Sequence, residues 1–102
     1  MEYRFGDIIL AEVQYTDTFE IKIRPALVLF EDMGNIIVAG ITSNLNMKGI
    51  SITKKEGLPK NSIIKLNYIF TIHESMIKRF LLKLSNEKRE LTRKELIHKI
   101  TN

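Results

Sequence analysis

The sequence predicts a mainly β protein of the α+β kind, a small and strongly bent antiparallel barrel with short helices and a C-terminal helix. Three observations carry this expectation. Short apolar or alternating runs recur at close spacing as far as residue 72, which is the pattern of hairpin-connected strands. The segments between them hold Gly, Pro, Asn and Asp, the residues of tight turns. Only beyond residue 85 does a pattern of caps and helical spacing take over.

Gly6-Asp7 is a turn signal, and Ile8-Ile9-Leu10-Ala11-Glu12-Val13 reads as the first strand. Residues 14–22 are polar and irregular and read as a long hairpin loop. Arg24-Pro25-Ala26-Leu27-Val28-Leu29 is an apolar run behind one arginine, as expected of a strand buried on both faces. Proline has no N–H to donate, so Pro25 is expected at the first strand position, with Arg24 at its mouth. Glu31 to Asn35 is a tight reversal in which Gly34 and Asn35 suit positive φ. Ile36-Ile37-Val38-Ala39-Gly40-Ile41 is the returning strand, ended by Thr42-Ser43-Asn44. In a short antiparallel hairpin the start of one strand lies beside the end of the other. Arg24 and Thr42 are therefore expected together at one sheet edge.

Gly49 to Thr53 alternates with period two, residues 54–60 form a turn with Gly57 and Pro59, and 62–67 and 68–72 are two further strand-like runs. Residues 73–84 read two ways. Met76, Ile77, Phe80, Leu81 and Leu84 have helical spacing, while Phe80-Leu81-Leu82-Lys83-Leu84 also suits a strand. In the tail, Ser85 can cap a helical turn, and Thr92-Arg93-Lys94-Glu95 fits a capping box with Leu96, Ile97 and Ile100 on one side of the helix that follows. Leu91 does not share that side, which suggests a break near it.

At 102 residues the chain is expected to be one domain, 1–102. It contains no cysteine, which excludes disulfides, thiolate metal sites and cysteine nucleophiles. No apolar run approaches the ~20 residues of a membrane span, and Met1 to Phe5 lacks a signal-peptide core. The expected location is the cytoplasm, away from any membrane. The net charge is +4, unevenly spread: residues 78–102 hold eight Lys/Arg against three Glu. A basic balance favours a polyanionic partner, although such a segment is equally a solvated helix face. His73 and His98 lie far apart with no partners at ligand spacing, so no metal site or cofactor is expected.

In order, the motifs are Gly6-Asp7-Ile8-Ile9-Leu10, Tyr15-Thr16-Asp17, Arg24-Pro25-Ala26-Leu27-Val28-Leu29, Ile41-Thr42-Ser43-Asn44, Gly57-Leu58-Pro59-Lys60-Asn61-Ser62 and Phe70-Thr71-Ile72. Over roughly residues 5 to 85 this resembles the MazF/PemK family of toxin endoribonucleases from type II toxin–antitoxin systems. The resemblance implies an SH3-like barrel and a homodimer that binds single-stranded RNA, messenger RNA foremost. It implies metal-independent cleavage to 2′,3′-cyclic phosphate and 5′-hydroxyl ends, and a cognate antitoxin whose C-terminal segment covers the RNA groove. It implies a short helical turn near 74–78 and a strand at 79–84. It also implies that Arg24 and Thr42 are the catalytic pair.

Elementary chemistry agrees with that pair. A guanidinium can give two parallel hydrogen bonds to the phosphate oxygens, and a threonine hydroxyl a third. Arginine stays protonated and is a poor general base. Asp17 and Glu20, in the loop before Arg24, are candidates to take the proton or orient the guanidinium, and equally suit a solvated loop. Tyr15, Ser43 and Asn44 are candidate RNA contacts. Lys65 and Asn67 stand where one branch of the family has arginine and aspartate; Lys65 keeps the charge, and Asn67 cannot act as a base. Phe70 stands where many relatives have arginine and suits either a core or a base-stacking role; His73 stands in place of an aspartate. The alternative reading is a non-catalytic SH3-like module binding nucleic acid or peptide, or a degenerate toxin.

Overall fold

A computed structural model describes residues 2–14 and 20–101, with Gln14 described in its backbone alone. Six strands form a single curled antiparallel sheet in the order β4-β5-β3-β2-β1-β6. These are β1 (Asp7–Gln14), β2 (Ile21–Asp32), β3 (Asn35–Thr42), β4 (Ile50–Ile52), β5 (Ser62–His73) and β6 (Ile77–Lys83), followed by the helix α1 (Asn86–Thr101). The mainly β, half-barrel architecture with one C-terminal helix is the expected one. The ambiguous segment divides as the family resemblance implied, with a 3₁₀ turn at Glu74–Met76 leading into β6.

Alternation along the central strands sends side chains into two apolar cores, one on each face. Leu27 and Leu29 join Ile8, Ile41, Ile64 and Leu84 on one face, under α1. Ala26 and Val28 join Ile9, Ala11, Ile36 and Val38 on the other. This double burial is why the Pro25–Leu29 run is continuously apolar. On its α1 side, the Gly6-Asp7 step fixes the helix to the sheet. The Gly6 carbonyl accepts from Leu84 N at 2.9 Å, and a Cβ on Gly6 would lie 2.4 Å from Arg89 Cδ. The buried Asp7 carboxylate accepts from Arg4 N at 2.9 Å and meets Lys83 Nζ at 2.8 Å.

Several local expectations are corrected. β2 begins at Ile21, so Pro25 is interior and Ile21 and Lys22 leave the expected loop. Pairing with β1 continues back to Ile21↔Gln14, whereas pairing with β3 ends at Ala26↔Gly40. Pro25 thus sits where β2 becomes an edge on one side, a position a residue without N–H tolerates. The hairpin turn places Met33 (φ 50°) and Gly34 (φ 82°) in the left-handed region, one residue earlier than Gly34 and Asn35. Asn35 instead pairs with Asp32, which leaves a two-residue loop between the strands. Residues 62–72 form one strand, β5, with an irregularity inside it. Ala39 and Gly40 are adjacent on β3, yet their partners are Ile69 and Lys65, which leaves Leu66, Asn67 and Tyr68 surplus.

The helix α1 runs unbroken through Leu91, and its cap is Ser85, whose Oγ accepts from Lys88 N at 3.1 Å. Thr92 is no cap. It is fully buried within the helix, and its hydroxyl donates to the Lys88 carbonyl at 2.8 Å. Of the three apolar residues expected on one side, Leu96 packs against the core, while Ile97 and Ile100 are exposed.

Candidate nucleic-acid interface

Period two along β2 and β3 decides which side chains share a face. Ala26 and Val38 belong to the same core, so Arg24, Gly40 and Thr42 lie on that face as well. Carrying the Ala26↔Gly40 register two residues further sets Arg24 across from Thr42. On the other side of β3, Gly40 pairs with Lys65, which adds Lys65 to the same face.

Two clefts meet along this edge. One, of about 340 Å³, is lined by Arg24, Thr42, Ser43, Pro59, Lys60 and Ser62 over Leu10, Pro25 and Ile41. The other, of about 380 Å³, is lined by Arg24, Thr42, Met47, Lys65, Tyr68 and Phe70 over Val13, Gly40 and Ile41. Arg24, Pro25, Ile41 and Thr42 are common to both. Among the described residues, no carboxylate lines either cleft. The charges facing this space are Arg24, Lys60 and Lys65, which suits a polyanion.

Arg24 is exposed, and its Nη1 donates to the Ile23 carbonyl at 3.1 Å. No carboxylate among the described residues forms an ion pair with it. Thr42 Oγ1 accepts from Asn44 N at 3.1 Å, which leaves the hydroxyl proton to donate elsewhere. Asn44 continues the turn, its Oδ1 accepting from Asn46 N at 3.1 Å. Tyr68 and Phe70 meet edge-to-face at 5.0 Å, and Lys65 Nζ lies 5.7 Å from the Tyr68 ring centroid. Gly40 makes this possible, because a Cβ there would stand 3.3 Å from Tyr68 Cδ1.

The structure thus gathers Arg24, Thr42, Ser43 and Lys65 from the candidate set. It does not gather Glu20, which pairs with Lys22 at 3.4 Å away from both clefts. Asn44 serves the turn, and Asn67 lines a different groove beside α1. Tyr15 and Asp17 lie outside the described residues. Phe70 packs partly against the core and also lines the second cleft. His73 is a cap, its Nδ1 accepting from Ser75 N at 3.1 Å. Lys60 and Tyr68 are cleft residues that sequence reading missed. Lys60 had a signal, its place in the Gly57–Ser62 motif. Tyr68 had none, because only the three-residue surplus of β5 brings it there.

A family model for the PemK-like, MazF-like toxin of type II toxin–antitoxin systems matches residues 4–100. The chain belongs to this family. Its fold is also similar to that of the Mycobacterium tuberculosis toxin MazF-mt6, with a TM-score of 0.73 at 21% sequence identity, covering 90% of this chain and 93% of that one. MazF/PemK-like toxins are generally endoribonucleases and generally dimeric, with an RNA substrate and a cognate antitoxin as partners. Among the described residues of this MazF/PemK-like toxin, no helix is long and apolar enough to cross a membrane.

Proposed function

We propose that this toxin is a metal-independent endoribonuclease, with residues 1–102 acting as one domain, that cuts single-stranded RNA at the Arg24–Thr42 edge. The 2′-hydroxyl attacks the adjacent phosphorus. Its O–P bond forms as the bond to the 5′-oxygen breaks, leaving a 2′,3′-cyclic phosphate and a 5′-hydroxyl. The attacking hydroxyl loses its proton to a base, and the departing 5′-oxygen gains one.

Arg24 and Thr42 act on the charge that gathers at the non-bridging oxygens. The guanidinium donates a forked pair of hydrogen bonds, and the Thr42 hydroxyl donates another while still accepting from Asn44 N. Lys60 and Lys65 hold the flanking phosphates, Ser43 reads a base edge, and Tyr68 with Phe70 offers ring surface to a base. The observation that carries the reading is the pairing of Arg24 with Thr42 in two contiguous clefts whose charged lining residues, among the described residues, are all cationic. A cognate antitoxin neutralises the toxin by covering these clefts, and the working form is a homodimer.

The test is cleavage of single-stranded RNA by the purified protein in EDTA, with the ends identified by mass spectrometry. Arg24→Ala and Thr42→Ala are expected to abolish the cut while RNA binding persists. A strict requirement for Mg²⁺ overturns the mechanism, and full activity in both variants overturns the site. The competing reading, a binding module in which Thr42 is structural, draws on the Thr42–Asn44 turn. RNA binding by the wild type with no cleavage of any sequence would favour it.

A further inference from the structure

Thr42 is followed by seven exposed residues, 43–49, before β4 begins at the buried Ile50. The segment leaves β3 at Thr42↔Ile63 and returns at Ile50↔Ile64, so it crosses β5 near its start. None of its side chains is buried, and hydrogen bonds centred on Asn44 order it. Asn44 N donates to Thr42 Oγ1 at 3.1 Å, its Oδ1 accepts from Asn46 N at 3.1 Å, and its carbonyl accepts from Met47 N at 3.2 Å. One residue thus closes three successive turns. Thr42 and Met47 line the second cleft at Arg24, whereas Asn44 lines neither cleft. It is joined to the threonine without entering the space where RNA would lie. Resting on the function proposed above, we propose that Asn44 is a positioning residue. Its side chain holds its own N–H on Thr42 Oγ1 and so aims the Thr42 hydroxyl proton at the phosphate.

A hydroxyl rotates about its C–O bond, and the O–H and two lone pairs share three directions. A lone pair held on Asn44 N–H takes one direction from the proton and leaves two. Accepting that bond also polarises the O–H and strengthens it as a donor. The hydroxyl is then set before charge develops on the phosphate, which is the condition for lowering a barrier. The N–H does this only while the backbone at Asn44 is held still. The Asn44 side chain holds it by closing the turn to Asn46 N, which alanine cannot do.

Thr42 restrains its own hydroxyl in a second way, because its γ-methyl limits χ1. Serine lacks that methyl. In Thr42→Ser the Asn44 N–H is therefore the main restraint left on the hydroxyl. The two positions are coupled as a residue that merely shaped the loop would not be.

The experiment uses the full chain and a short single-stranded RNA that it cleaves, under single turnover with protein in excess. The maximal rate and the half-saturating concentration are read separately. Asn44→Ala is expected to lower the maximal rate about tenfold, the scale of one hydrogen bond, at a half-saturating concentration near the wild-type value. Asn44→Asp keeps an acceptor oxygen in the same place and is expected to restore the rate. In a Thr42→Ser background, Asn44→Ala is expected to cost about a hundredfold, the excess being the coupling of neighbouring positions. Asn44→Gln, whose amide is one carbon too far out to close the turn, is a second variant expected to match Asn44→Ala.

An unchanged rate in Asn44→Ala, or an equal loss with and without Thr42→Ser, overturns the positioning. So does an unchanged rate with a raised half-saturating concentration, which makes Asn44 an RNA contact. Loss of a cooperative urea transition in both Asn44→Ala and Asn44→Gln makes Asn44 a residue of the fold and also overturns it. In each of these cases cleavage by the wild type leaves the proposed function standing. A wild type that cuts no RNA overturns that function and the positioning with it.

Discussion

The Arg24 guanidinium has five N–H donors, and its hydrogen bond to the Ile23 carbonyl uses one of them. Arg24 lines both clefts, so the remaining donors are available to a phosphate there. This asks for arginine in particular, since lysine keeps the charge and loses the fork. Arg24→Lys is expected to lower the single-turnover cleavage rate by about 10²–10³, the scale of losing one preorganised donor, or about 3–4 kcal/mol of barrier. At Thr42 one oxygen has both a local and a proposed catalytic part. Thr42→Ser keeps both and is expected to retain most activity, whereas Thr42→Val loses both and is expected to match Thr42→Ala. The Arg24–Thr42 pairing was legible from sequence because a short hairpin forces it. Of the two parts open to Glu20, the structure has it beside Lys22 at 3.4 Å, a contact between side chains that no pattern in the sequence announces.

Among the elements, the β2–β3 hairpin carries an avoidable strain. Met33 sits at φ 50° and is 95% exposed, so its side chain has little packing to lose. Asn tolerates that conformation and is favoured in such turns. Met33→Asn is expected to raise stability by roughly 0.5–1 kcal/mol, read as a higher urea midpoint with an unchanged slope. Gly49→Ala should act the other way. The added carbon meets the Ile64 carbonyl oxygen, and relief requires the 45–49 loop to lift, carrying Met47 out of the second cleft. A lower thermal midpoint together with weaker RNA binding would register both effects. Strand positions were readable because alternation and apolar runs are local signals. Strand beginnings were not, since β2 extends to Ile21 only through pairing with Gln14. The helix was misread for a similar reason. The hydroxyl of Thr92 back-bonds to Lys88 and the residue is fully buried, whereas the same residue types beside solvent would have made a cap.

At the scale of the molecule, the basic tail proves to be largely consumed within the fold. Lys78 pairs with Glu12 at 2.8 Å, Lys83 with Asp7 at 2.8 Å, and Lys88 with Glu56 at 3.6 Å. Arg89 holds the Leu84 carbonyl, and Arg93 pairs with Glu90 and covers Phe5. The excess charge of residues 78–102 therefore overstated the binding surface, and the cations that face open clefts come mostly from the first two thirds of the chain. RNA affinity is accordingly expected to follow a salt slope set by a few contacts. Lys60→Ala and Lys65→Ala should each reduce it by ~0.7, while Lys78→Ala and Lys83→Ala should leave it unchanged in the same titration.

The surplus residues of β5 have one more consequence. Ile63–Lys65 and Ile69–His73 keep their own partners on β3 on either side of Leu66, Asn67 and Tyr68. Length at this point is therefore uncoupled from register: a residue added or removed between Lys65 and Ile69 resizes the cleft wall without shifting either ladder. The fold has here a place where insertions and deletions can alter the lining of the cleft and leave the barrel intact.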